Sequence, residues 1–182
     1  MYSKFFIILK IFFIIVICSS VSFALSDKLQ DIANQAFNAH KSKQYEESYE
    51  LFGKLLSQGS KELTKNQIEH VKDLMLLAAY EVTNQKTNQK DLKGAMKWID
   101  KGLSLGLFKV NNKISIYYPM LLACKGLGFY ETEKYEDSFN YLIKAKRYID
   151  IAGEDDNYTN ELKKVLKQKI EEALDAIKTE TN

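Results

Sequence analysis

The stretch LACKGLGFYETEKYEDSFNYLIKA, Leu122 to Ala145, decides the fold. Leu122, Gly126 and Phe129 recur at the spacing that puts side chains on one side of a helix, and Gly126 is small enough to let a second helix come close. Tyr135, Phe139, Leu142 and Ala145 lay a matching stripe along a second helix, with Glu131 to Lys134 as the turn. The pattern occurs again ninety residues earlier, in Ile32, Ala36 and Ala39 and then Tyr45, Tyr49, Phe52 and Leu55. Tyr45-Glu46-Glu47-Ser48-Tyr49 lies over Tyr135-Glu136-Asp137-Ser138-Phe139, and Lys54 over Lys144. This internal repeat of helical hairpins predicts an all-α chain.

Working outward, Ser26 or Asp27 caps a helix running to Lys41 with Leu29, Ile32, Ala36 and Ala39 inward. A second helix, Tyr45 to Gln58, turns Tyr45, Tyr49, Phe52 and Leu56 inward, and Gly59 closes it in left-handed geometry. The next helix starts at Thr64 with Gln67 completing a capping box, and carries Ile68, Val71, Leu74, Met75, Ala78 and Val82. Leu76, Leu77 and Ala79 make it apolar almost all round, so it is expected in the middle of a stack. Thr83 to Gln89 reads as a polar linker and Asp91 to Ser104 as the partner helix, with Leu92, Ala95, Ile99 and Leu103 inward. Gly106 stops that helix, Phe108 to Ile114 reads as a loop around Asn111-Asn112, and Pro119 suits the first turn of the next helix. Past Gly153, an amphipathic helix from Thr159 to Lys178 gathers Leu162, Val165, Leu166, Ile170, Ala173, Leu174 and Ile177 on one side. Such a helix would cover the last open face of the hairpins.

Composition narrows the function classes. The chain has 182 residues, 46% of them hydrophobic and 12% aromatic, with one proline, which suits a single packed helical domain. Its net charge of +2 comes from Lys4 and Lys10, since the remaining basic and acidic residues balance, and Arg147 is the one arginine. A neutral domain lacks the footprint of a nucleic-acid partner. Residues 1–24 read as a signal peptide: two lysines, a wholly apolar run from Ile11 to Cys18, and Ser22-Phe23-Ala24 with cleavage expected after Ala24. The expected location is periplasmic or secreted. An uncleaved anchor is the alternative, and only then would the chain meet a membrane, although its apolar run of about fifteen residues falls short of the roughly twenty needed to span. Lipid attachment at Cys18 is disfavoured by the bulky Ile15-Val16-Ile17 before it. After cleavage Cys124 is the single cysteine, which leaves no intramolecular disulfide.

Over most of Leu29 to Gly153 the hairpins resemble tetratricopeptide repeats, helical pairs of 34 residues with small residues where the helices touch. Gly126, Phe129, Tyr135, Leu142 and Ala145 match the family's small, aromatic, aromatic, large apolar and small positions. Lys125 and Gln35 stand where the family has leucine, and Ser48 and Ser138 where it has alanine, which Ala95 keeps. From Tyr45 to Leu92 is 47 residues and from Leu92 to Tyr135 is 43, longer than a regular array. The resemblance implies a right-handed stack of about three hairpins over residues 25–153, capped by a C-terminal helix in 154–182. It also implies a concave groove, lined by the first helices, that holds a protein or peptide. One helical step off the packing stripe, that groove would show Asn34, Phe37, His40 and Lys41 from the first hairpin and Ala123, Cys124, Leu127 and Tyr130 from the third. The middle helix is too evenly apolar to give its register. Apart from Asn34 and Lys41 the lysine and asparagine clamp of the chaperone-binding members is missing, so capture of a terminal carboxylate is not expected.

Nothing in the sequence assembles an active site. His40 and His70 do not share a metal spacing, and His40 suits a charge partner at a helix end. Cys124 has no neighbouring histidine and reads as an inert buried thiol. Asp155, Asn157, Thr159 and Glu161 alternate as calcium ligands do, but Asn160 replaces the turn glycine and Leu166 the closing glutamate, so helix capping explains them better. Glu46-Glu47 and Glu171-Glu172 are helix neighbours that do not face each other. The expectation is a non-catalytic exported scaffold with no cofactor and no metal. The alternatives are an envelope structural component, membrane-tethered or self-associating through its C-terminal helix, and an enzyme built on helices.

Overall fold

The computed structural model describes residues 25–110, 113–153 and 156–181. The expected signal peptide, residues 1–24, lies outside them, as do Asn111, Asn112 and Asp155. Among the described residues the fold is all-α: α1 (Asp27–Lys41), α2 (Tyr45–Gly59), α3 (Lys65–Asn88), α4 (Leu92–Leu103), α5 (Tyr117–Tyr130), α6 (Tyr135–Ile149) and α7 (Asn157–Glu180). Each helix packs on its neighbour in the chain, and α3 with α5 and α5 with α7 also touch.

Three turns of one design set this order. Lys43, Lys90 and Glu133 all adopt left-handed backbone, at φ of 60°, 61° and 58°. Behind each, the next amide reaches back across the helix end: Gln44 to the Ala39 carbonyl at 2.9 Å, Asp91 to that of Lys86 at 2.9 Å, and Lys134 to that of Phe129 at 3.0 Å. These bonds satisfy carbonyls that a helix end leaves without partners and fold the following helix back antiparallel. Glycine is the residue that adopts this geometry without steric cost, whereas here lysine and glutamate do so. Lys43→Gly, Lys90→Gly and Glu133→Gly are each expected to raise stability by about 0.5–1 kcal/mol, the relief of strain exceeding the added freedom of the unfolded chain. Urea midpoints check this, and a drop in all three would contradict it.

Counting from equivalent turns puts Thr83 in register with Ala36 and Gly126, and all three are buried. Facing them at the crossings are Ser48, Ala95 and Ser138, also buried, with the Ser138 hydroxyl donating to the Gly126 carbonyl at 2.8 Å. The approach is close: a Cβ on Gly126 would lie 2.7 Å from Leu142 Cγ and 3.2 Å from the Leu142 amide nitrogen. Thr83 is therefore no linker. Nothing in Thr83 to Asn88 breaks a helix, and the Thr83 and Thr87 hydroxyls return to the carbonyls of Ala79 at 2.8 Å and Thr83 at 2.9 Å. The capping box at Thr64 and Gln67 forms as the sequence predicts.

Other expectations need correcting. Gly59 is a buried helical residue rather than a left-handed cap, and a Cβ there would press on Leu63 at 3.0 Å. Phe108 to Ile114 contains two short strands, Lys109–Val110 and Lys113–Ile114, paired antiparallel, and Ile114 accepts from the Gly153 amide at 2.6 Å. Leu92 and Val165, expected inward, are 48% and 50% exposed. Phe139 is 40% exposed although its counterpart Tyr49 is buried. The two positions differ in whether a further hairpin packs outside them. Tyr49 meets the edge of Trp98 at 5.3 Å and donates to the Lys101 carbonyl at 2.9 Å, both on α4, whereas among the described residues no second helix of a fourth hairpin covers α6.

Two buried clusters result. The larger runs from Leu29 through Phe52, Leu76, Val82, Trp98 and Ile99 to Leu121. The smaller joins Leu122, Ala123, Leu142 and Ala145 to Ile170, Ala173, Leu174 and Ile177 of α7. Lysine–carboxylate pairs tie neighbouring helices at the surface, among them Lys101 to Glu50 at 2.6 Å and Lys125 to Asp100 at 2.7 Å. Exposed pairs of this kind contribute about 0–1 kcal/mol each, so burial carries the stability.

Candidate protein-binding groove

The first helices of the three hairpins, α1, α3 and α5, converge with the start of α7 on a cleft of about 410 Å³. His40 comes from α1, Leu77, Tyr80, Glu81 and Asn84 from α3, Tyr117 and Met120 from α5, Leu162 from α7, and Tyr45 from the start of α2. Four of the nine described lining residues carry rings. Tyr80 and Tyr117 lie with ring centroids 6.1 Å apart and planes tilted by 36°, and His40 meets Tyr45 edge to face at 5.4 Å. His40 Nδ1 also lies 3.3 Å from the Ser48 hydroxyl, which anchors the ring to α2. Burial raises the Tyr45 phenol above its ordinary range, and the nearby Glu81 carboxylate raises it further, so the phenol stays a neutral donor.

The equivalence of the turns explains why α3 presents these residues. Glu81 stands in register with Asn34 and Cys124, Asn84 with Phe37 and Leu127, and Tyr80 with Ala123. One helical step off the packing stripe thus supplies the largest single share of the described cleft wall, four residues, from the middle hairpin. Spacings of 47 and 43 residues between second helices, carried back onto the first helices, would have given this register.

Of the eight residues expected to line the groove, His40 lines this cleft. Asn34 and Lys41 are exposed at the α1 surface, while Phe37 turns edge-on to Phe52 at 5.3 Å and packs on the larger core. Ala123 is 1% exposed and lies in the cluster that α7 covers, so it is core and not groove. Leu127 is 36% exposed, and Tyr130 is half-buried beside Tyr135 at 5.7 Å. Cys124 is half-buried against the larger core, and burial pushes its thiol up to about 11, with Lys169 pulling the other way. At pH 8 roughly one thiol in a thousand is then ionised, far below a free cysteine. Native protein is expected to react with iodoacetamide at least about tenfold more slowly than the urea-unfolded chain, and reaction at the unfolded rate would refute the burial.

Among the described residues no group of three or more His, Cys, Asp and Glu side chains is placed to hold a metal ion. No described helix is long and apolar enough to cross a membrane. Set against known proteins, the chain matches no family model, no curated protein and no solved structure, so its function is read from its own residues.

Proposed function

We propose that this chain is a non-catalytic scaffold, a right-handed stack of three tetratricopeptide-like hairpins, that holds an extended segment of another protein in its concave cleft. The observation that carries the reading is the convergence of α1, α3 and α5 on that cleft, one first helix from each hairpin. Identical turns and small buried crossing residues in all three hairpins support the likeness to the repeat family. Half-buried tyrosines beside Leu77 and Leu162 offer the mixture of apolar and hydrogen-bonding surface that peptide grooves use. Residues 1–24 would export the chain to the periplasm or beyond. The self-associating alternative has less support, because α7 places Ile170, Ala173, Leu174 and Ile177 against the chain's own α5 and α6.

Panning a displayed library of random twelve-residue peptides against the purified protein tests the reading. Enriched peptides should lose at least about tenfold in affinity for Tyr80→Ala and bind normally to Phe139→Ala on the outer face, about 1.4 kcal/mol being the worth of that factor. Absence of enrichment, or binding indifferent to Tyr80, would overturn it.

A further inference from the structure

We infer that Glu62 receives the N-terminus that export would create: its carboxylate clasps the Leu25-Ser26 end and pairs with the ammonium freed at Leu25 when residues 1–24 are removed; this rests on the export reading above. The start of α1 is held from outside its own helix. The Ser26 amide donates to Glu62 Oε2 at 2.7 Å and the Ser26 hydroxyl lies 3.4 Å from Oε1, so both carboxylate oxygens face this one residue. Ser26 occupies the cap position of α1, yet its hydroxyl caps no amide of that helix. Its carbonyl accepts from the Leu29 and Gln30 amides at 2.9 Å and 3.0 Å, which fixes the chain direction at the first turn. One residue earlier, Leu25 is half-buried and packs on the larger core.

The turn after α2 holds Glu62 in place. The Glu62 and Leu63 amides both donate to the Gly59 carbonyl, at 2.9 Å and 2.8 Å, and Leu63 is buried. A Cβ on Gly59 would lie 3.0 Å from Leu63 and 3.4 Å from Leu29, so this turn sits against α1 and carries Glu62 to a residue 36 positions earlier. Charge supplies the rest. In the uncleaved chain the Leu25 nitrogen is a neutral amide joined to Ala24. Hydrolysis of that bond by a signal peptidase consumes one water, leaves a carboxylate on Ala24 and passes the carboxyl proton to the freed amine, which is an ammonium at neutral pH. Standard bond lengths keep neighbouring backbone nitrogens less than about 4 Å apart, which places the ammonium within about 6.5 Å of Glu62 Oε2 for any torsion at Leu25. An opposite charge at that range favours the ammonium and adds to the charge-assisted hydrogen bond already made by Ser26. The position matters. A start one residue earlier moves the charge a further ~3.5 Å away, and a start one residue later removes Leu25 from the core.

Expressing the full chain for export in a bacterial host and weighing the recovered protein locates its first residue, which should be Leu25. Two purified forms then isolate the ammonium: one starting at Leu25, and one with Gly-Ser-Gly ahead of it, which leaves an amide at Leu25 and carries the charge up to about 10 Å away. Each is made with Glu62 and with Glu62→Gln, a change that keeps an oxygen to accept from Ser26 and removes the charge. Circular dichroism establishes that all four are folded. Glu62→Gln should lower the urea midpoint of the form starting at Leu25 about twice as far as that of the extended form, or more. A broad-specificity aminopeptidase followed by mass spectrometry should strip Gly-Ser-Gly from the extended form and then slow, and should release Leu25 at least about fivefold more slowly with Glu62 than with Gln at that position. Equal midpoint losses in the two forms, or equal release of Leu25 with either residue, overturn this inference and leave the export reading standing. Exported protein that starts elsewhere, Met1 included, overturns the reading of residues 1–24 and this inference with it.

Discussion

Ending the chain at Asp156 removes α7 and is expected to leave a protein without a cooperative melt at 25 °C, prone to associate and to bind hydrophobic dyes. Ile170, Leu174 and Ile177 are buried against α5 and α6, and their removal also uncovers Leu122, Leu142 and Ala145. Three large aliphatic side chains at about 1.5–3 kcal/mol each amount to roughly 5–9 kcal/mol, comparable with the roughly 5–15 kcal/mol that holds a whole domain folded. Surface pairs do not offset this. Lys146 with Glu171 and Lys167 with Asp150 join α6 to α7 through exposed groups, and removing α7 takes them as well. Circular dichroism on heating and size-exclusion chromatography read the result. A shortened chain that melts within a few degrees of the intact one would show that α7 does not close the fold. If in addition the intact chain were a dimer and the shortened one a monomer, the self-associating alternative would replace the scaffold.

Side chains that meet within one hairpin were legible in the sequence, and those that depend on the next hairpin were not. Ile32 with Ala36, and Leu122 with Gly126, lie on helical stripes whose contacts form across a four-residue turn, so local spacing was enough to find α1, α2, α5 and α6. The end of α3 was misread because Thr83, Asn84, Gln85, Lys86 and Thr87 carry the composition of a linker. Their helix is held by packing at Thr83, which sits where Ala36 and Gly126 sit, and composition does not register packing. The groove suffered from the same limit. Tyr80 and Glu81 belong to a helix apolar on nearly every side, and only the turn at Lys90 tells which side faces the cleft. Ala123 looked free because the stripe on α5 has two covered faces, one against α6 and one beneath α7.

The contrast between Phe52 and Phe139 is the most demanding consequence of that distinction. Both belong to the aromatic stripes by which the hairpins were recognised, yet Phe52 is 0% exposed and Phe139 is 40% exposed. Phe52 receives the edge of Phe37 at 5.3 Å and has His40 at 6.3 Å, so truncation leaves a cavity walled by rings that cannot collapse into it without breaking the α1–α2 crossing. Phe52→Ala is therefore expected to cost about 3–5 kcal/mol, at the upper end for a buried aromatic, and to lower the melting temperature by roughly 10 °C. Phe52→Leu, which keeps most of the volume, should cost under about 2 kcal/mol. Phe139→Ala should stay within about 0.5 kcal/mol, because its ring leaves water only in part and no described helix closes over it. Urea unfolding with a shared slope measures all three on one scale. Equal losses at positions 52 and 139 would mean that the outer face of α6 is covered in solution. Repeating the Phe139→Ala measurement over a hundredfold range of protein concentration then identifies the cover, since a loss that shrinks on dilution belongs to a second copy and one that does not change belongs to the chain itself.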